Sequence, residues 1–169
     1  MAIMTSPEHP APATVRTFDS VQSLVDCLEQ PGLISPSIRV DQDMITRFGC
    51  VTHDSQWIHV DRKRAKVESP YQDTIAHGFL LLSLLTHLQA SCIAFPRARM
   101  LLNYGFDKVR FTAPVLVDAL ISATFTLANV TETSPGEARC CWRVTVQTDK
   151  ADRPSLYADW LILVRFGDS

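Results

Sequence analysis

The stretch "IAHGFLLLSLLTHLQASCI" (75–93) constrains this chain more than any other. It is apolar on nearly every side through Leu85, and only its second half turns amphipathic. A helix that is hydrophobic all round must be buried. The chain therefore needs an element large enough to enclose a central helix, and the residues that follow supply one. "NYGFDKVRFTAPV" (103–115) reads as a strand interrupted near Gly105 and ended by Pro114. "ALISATFTLANV" (119–130) puts Ile121, Ala123, Phe125 and Leu127 on one face, and "RCCWRVTVQT" (139–148) does the same with Cys140, Trp142, Val144 and Val146. "YADWLILVRF" (157–166) aligns Ala158, Trp160, Ile162, Val164 and Phe166. Period-two patterning with turn signals between the runs predicts an antiparallel sheet with one buried face. One buried helix and a run of long antiparallel strands is an α+β arrangement.

Upstream, "SVQSLVDCLEQPG" (20–32) predicts a helix capped by Ser20 and stopped by Pro31-Gly32, and "SPSIRV" (35–40) predicts a short strand. "DQDMITRFGCVTHD" (41–54) predicts a helix capped by Asp41 and ending near Thr52, with Met44, Ile45, Phe48 and Val51 on one face. Residues 53–75 read as mostly loop, with one helical turn at 61–67. The Pro- and Ala-rich start predicts a flexible N-terminal segment at 1–19, ahead of a single domain at 20–169. A length of 169 residues fits one domain with a sizeable core.

A net charge of −2 gives no electrostatic reason to expect a nucleic-acid partner or an anionic membrane surface. The longest apolar run, "FLLLSLL", is far short of the roughly 20 residues that span a bilayer. The five cysteines contain no C-x-x-C pair and are odd in number, which argues for a reducing compartment and against a disulfide framework. With no basic-then-apolar leader, a cytoplasmic protein is the expectation.

Within "THDSQWIHVD" (52–61), Asp54 and His59 lie five positions apart. That spacing fits neither a helical face nor one side of a strand, so a loop would have to bring the two side chains together. A carboxylate and an imidazole can jointly grip one water, the carboxylate taking its proton. The rival reading is a helix C-terminus with Asp54 as an ordinary turn residue and His59 packed on Trp57. Gly78 opens the buried helix, where free backbone N–H groups and the dipole favour an oxygen gaining negative charge; the rival is a glycine that only relieves crowding. Asp54, His59, His77 and His87 lack H-x-x-x-H or H-E-x-x-H spacing, so no metal is expected. "DRKRAK" (61–66) reads as a solvated helix face or a phosphate contact. No nucleophile elbow surrounds Ser69, Ser83 or Cys92.

Taken together, "FGCVTHDSQWIHVDRKRAKVESPYQDTIAHGFLLLSLL" (48–85) resembles the hydratase 2 signature of the MaoC-like (R)-specific enoyl-CoA hydratases. "QWIHVD" and "NYGFDKVRF" look most like the nodulation-protein-N branch, and the resemblance covers roughly residues 37–166. It implies a hot dog fold, with the helix as sausage and the antiparallel sheet as bun, and reversible hydration of trans-2-enoyl-CoA to (R)-3-hydroxyacyl-CoA. It also implies Asp54 and His59 as catalytic residues, and Gly78 as the donor to the thioester oxygen. His77, Thr86, Trp57 and Tyr104 fall where they would line the oxyanion and substrate site. Coenzyme A would enter only as part of the substrate, with Arg62, Lys63, Arg64 or Lys66 meeting its phosphates. No other cofactor is implied, and a homodimer is. A thioesterase of the same fold, or a non-catalytic acyl-binding or scaffold subunit, are the alternatives. The chain departs from the pattern at His53, where many members have glycine, and at Gln56-Trp57, where many have Asn-Pro.

Overall fold

The computed structural model describes residues 15–167. Its elements, in chain order, are β1 (Arg16–Thr17), α1 (Val21–Val25), β2 (Leu33–Ile34), β3 (Ile38–Val40), α2 (Gln42–Thr52), α3 (Trp57–Val60) and α4 (Arg62–Glu68). Then come α5 (Gly78–Ala90), β4 (Ile93–Ala94), β5 (Ala98–Phe111), β6 (Ala119–Ser134), β7 (Glu137–Thr148) and β8 (Leu156–Phe166). The main sheet runs β2-β6-β7-β8-β5, with β3 also on β6. All its pairings are antiparallel.

Strand alternation decides which side of the sheet is wet. Phe125, Trp142, Val144, Trp160 and Ile162 point inward and are buried, as the period-two reading predicts. Leu80, Leu81, Leu85 and Leu88 of α5 join them in one apolar cluster. This is the hot dog arrangement of helix against curved sheet. A stripe on the other side of α5 (Phe79, Ser83, Thr86, His87 and Ala90) stays exposed in the single chain.

The strand expected at 103–115 starts earlier, at Ala98. Its register on β8 shifts between Asn103 and Gly105, where the glycine backbone has φ 154°. The helix expected from Ser20 has its capping box but ends at Val25. The turn expected at 61–67 is α4, and a further short helix, α3, stands where loop was expected; Asp61 joins them, its carboxylate accepting from the Arg64 amide at 3.0 Å. Most of the segment expected to be flexible, 1–19, lies outside the described residues. Its last part is tied down, because β1 pairs in parallel with β4 and Phe18 is fully buried. No helix among the described residues is long and apolar enough to cross a membrane.

Candidate active site

Asp41 caps α2 by accepting from the Met44 amide at 2.8 Å. The helix stops where His53 turns left-handed, at φ 58° and ψ 22°. A glycine or asparagine usually fills that position, because a side chain there meets its own backbone. The turn sends the chain back across α2, and Gly49 lets it pass closely. A Cβ at Gly49 would lie 2.7 Å from the Asp54 carbonyl oxygen. Asp54 thus sits just beyond the helix with its side chain half exposed.

His59 rides on α3 and is almost fully buried. Its Nδ1 lies 2.8 Å from the Ile75 carbonyl oxygen. A carbonyl can only accept, so Nδ1 carries the proton and Nε2 keeps its lone pair. The main-chain oxygen of His59 accepts from Gln42 Nε2 at 2.8 Å, and Gln42 Oε1 accepts in turn from Thr74 Oγ1 at 2.5 Å. Thr74 is fully buried. Burial pushes the His59 pKa below its ordinary value, and His77 adds to that. The Ile75 bond and Asp54 act the other way.

His77 is the extended residue that precedes α5. The helix opens with Gly78, and among the described residues no protein acceptor outside the helix meets the Gly78 amide. His59 and Gly78 line one cavity of about 380 Å³, with Tyr71, Leu81, Phe111 and Arg153. A Cβ on Gly78 would press on the Phe111 ring at 3.1 Å. A larger cleft of about 590 Å³, lined by Asp19, Arg97 and Glu132 among others, holds none of the candidate residues.

Asp54, His59 and His77 each offer one ligating atom, and these atoms lie within 4.8 Å of one another. His77 Nε2 is 3.0 Å from the Asp54 carbonyl oxygen, so it too carries a proton. That leaves the His59 Nε2 lone pair and the neighbouring Asp54 carboxylate, fewer than the three or more protein ligands of a zinc site. Two acceptors this close suit a water with two protons to share.

Other expected residues fall elsewhere. His77 is 2% exposed, and its ring lies behind the site. Thr86 is on the exposed stripe of α5, and Tyr104 lies over a separate hollow with Arg139 and Cys141. Trp57 carries Arg64 over its ring at 4.5 Å instead of lining the cavity. Arg62 is committed to Asp73 and Asp118, at 3.0 and 3.1 Å, and Arg64 to Glu68 at 2.8 Å. Arg153, Gln42, Thr74 and Gly49 are the contributors that sequence reasoning missed. Only the buried-polar character of Thr74 is unusual, and no spacing rule exposes it.

The model of the MaoC like domain matches residues 24–149, most of the chain. The chain belongs to the MaoC-like family. Within it, nodulation protein N of Rhizobium leguminosarum bv. viciae is 42% identical over 132 residues, covering 76% of this chain and 81% of that protein. The 3-hydroxyacyl-thioester dehydratase Z of Mycobacterium tuberculosis is 34% identical over 148 residues, covering 88% and 97%. The MaoC-like dehydratase from Rhodospirillum rubrum shares the fold at a TM-score of 0.66, with 17% identity and coverage of 80% of this chain and 91% of that one. The R-hydratase PhaJ1 from Pseudomonas aeruginosa shares it at 0.63, with 19% identity and coverage of 82% and 83%.

Proposed function

We propose that this MaoC-like protein reversibly hydrates trans-2-enoyl-CoA thioesters to (R)-3-hydroxyacyl-CoA. The observation that carries the reading is the pairing of Asp54 and His59 beside a cavity that also receives the Gly78 end of α5. The likeness to a 3-hydroxyacyl-thioester dehydratase supports the reaction class.

The tautomer of His59 orders the steps. Its Nε2 has no proton to give, so it accepts one hydrogen bond from a water. Asp54 accepts the other and takes that proton as the water oxygen bonds to C3. Electrons of the C2–C3 double bond move toward the thioester oxygen, where the Gly78 amide and the α5 dipole stabilise the charge. Asp54, now protonated, returns its proton to C2 as the enolate collapses. The same group takes and returns the proton, so the hydrogen and the hydroxyl of the added water arrive on one face. None of these steps calls for a metal or a redox cofactor. Coenzyme A is the thiol carrier, and Arg153 at the cavity is the cation for its phosphates, in place of the ion-paired Arg62 and Arg64.

The assembly is a homodimer. β5 is a 14-residue strand whose outer edge has no partner among the described residues, and it exposes Leu101, Leu102, Tyr104 and Phe111. Such an edge is a template for pairing with another chain.

Crotonyl-CoA hydration, followed by loss of enoyl absorbance, tests the activity. Inert wild type on short, medium and long enoyl chains ends the hydratase reading. Release of free thiol would point to a thioesterase.

A further inference from the structure

One buried side chain touches both members of the candidate pair, and the reaction has no use for it as a proton carrier. His77 donates from Nε2 to the Asp54 carbonyl at 3.0 Å. Its ring stacks on His59 at 3.8 Å between centroids and 26° between planes. It also meets the Phe48 ring of α2 at 5.2 Å. Its own peptide leads into Gly78, the first residue of α5. At 2% exposure it cannot reach a substrate. Its remaining ring nitrogen, Nδ1, is buried with no hydrogen-bond partner among the described residues. Gly49 completes the arrangement, since a Cβ there would lie 3.4 Å from His77 Cε1 as well as 2.7 Å from the Asp54 oxygen.

We infer that His77 is a positioning residue, a buried strut that fixes Asp54, His59 and the Gly78 amide at one mutual spacing. The Asp54 turn has no other anchor of this kind, because its carboxylate makes no hydrogen bond among the described residues. Without the strut, the carbonyl of Asp54 is free to swing and the carboxylate moves with it. A displacement of about 1 Å at a reacting group costs on the order of a hundredfold in rate. The inference rests on the hydratase reading for its kinetic arm.

Two substitutions separate the two contacts. His77→Phe keeps an aromatic ring to stack on His59 but has no donor for Asp54. His77→Gln keeps an N–H near the Nε2 position and loses the stack. The expected result is a fall in kcat on the order of a hundredfold for His77→Phe at unchanged KM, and recovery of most of kcat in His77→Gln. The Asp54 carbonyl carbon resonance should move in the Phe variant and hold in the Gln variant. That NMR arm needs no turnover, so it tests the strut even if the wild type proves inert on enoyl thioesters. Wild-type kcat in His77→Phe overturns the inference, as does a rise in KM with kcat intact, which would make His77 a substrate contact. An Asp54 resonance unmoved in His77→Phe overturns it as well. If His77→Phe does not fold, Gly49→Ala attacks the same bond from the other side. It should lose kcat alone, and full activity there overturns the strut.

Discussion

The two halves of the candidate pair are held in opposite ways. His59 is clamped at its ring by Ile75, at its main-chain oxygen by Gln42 and across its face by His77. Asp54 is hydrogen-bonded only through its backbone carbonyl, and its half-exposed carboxylate comes no nearer than 3.9 Å to His77 Nε2. The difference fits the division of labour in the proposed reaction. A group that only orients water gains from rigidity, because its tautomer and direction must not change. A group that takes a proton and carries it to a second atom must swing between two positions. The scaffold therefore fixes the base of Asp54 and leaves its tip free.

That contrast can be broken from each side. Asp54→Asn should carry the largest effect. It removes the base while leaving every backbone contact in place, so hydration should fall by about 10²–10⁴-fold. Because the carboxylate makes no hydrogen bond among the described residues, urea unfolding of the variant should match wild type. Equal activity in the mutant would place the base elsewhere. Thr74→Val strikes the clamped half. It deletes the buried hydroxyl that donates to Gln42, leaving the Gln42 oxygen that faced it unpaired. The expected cost is about 1–2 kcal/mol in urea unfolding, with a smaller loss of activity than Asp54→Asn. If the two variants exchanged these phenotypes, the contrast between the clamped and the free residue would fail.

The same contrast marks what the residues reveal before folding. The start of α2 was legible because Asp41 is a cap; its end near Thr52 was also read, although Val51, expected on the apolar face, is exposed and the helix is stopped by the left-handed His53. The buried faces of β6, β7 and β8 follow from strict alternation. The start of β5 does not, because residues 98–102 (ARMLL) mix charged and apolar side chains without a clear apolar face, although Ala98, Phe106 and Val109 pack against the core. At the site, the spacing of Asp54 and His59 suited a turn as well as a pair, and it was the resemblance of the whole 48–85 stretch to the family signature that singled them out with Gly78. Most of the parts that hold them did not stand out. Gln42, Gly49 and Thr74 act through tertiary contacts between segments far apart in sequence, and no period or spacing announces such contacts; His77 was singled out, but for the oxyanion site and not for the contacts it makes. Thr86 was placed by its position in the family pattern and Tyr104 by the segment expected to shape the acyl tunnel, and neither lines the His59–Gly78 cavity.

Titration offers a gentler probe of the clamped half. The folded pKa of His59 lies below its ordinary value near 6.5 because of burial, so the unfolded chain binds the proton more tightly. Stability then rises with pH wherever the unfolded state holds more protons. The contribution is fully present above about pH 6.5 and is lost as pH falls from there through the folded pKa. Thermal unfolding from pH 8 down to pH 5 should show a drop in Tm that His59→Gln reduces. The same shift keeps Nε2 free of a proton below pH 6.5, so the acid limb of hydration should lie under that value. An acid limb above it would mean that His59 is not the group that must be neutral.

The smallest effect belongs to the turn that delivers the free half. His53 holds a left-handed conformation at φ 58°, which costs an L side chain roughly 1–2 kcal/mol. Its side chain is exposed and makes no hydrogen bond among the described residues, so nothing local offsets that cost. Glycine removes the steric term but adds freedom to the unfolded chain, worth about 0.4–1 kcal/mol the other way. His53→Gly should therefore stabilise the protein by about 0.5–1 kcal/mol in urea unfolding. Activity should hold, because the turn geometry is unchanged and Asp54 stays on its backbone anchor. A gain in stability with a loss of activity would show that the ring at 53 acts on the neighbouring carboxylate. Asp54 would then be held by its neighbour as well as by His77, and the free half of the pair would be less free than its contacts indicate.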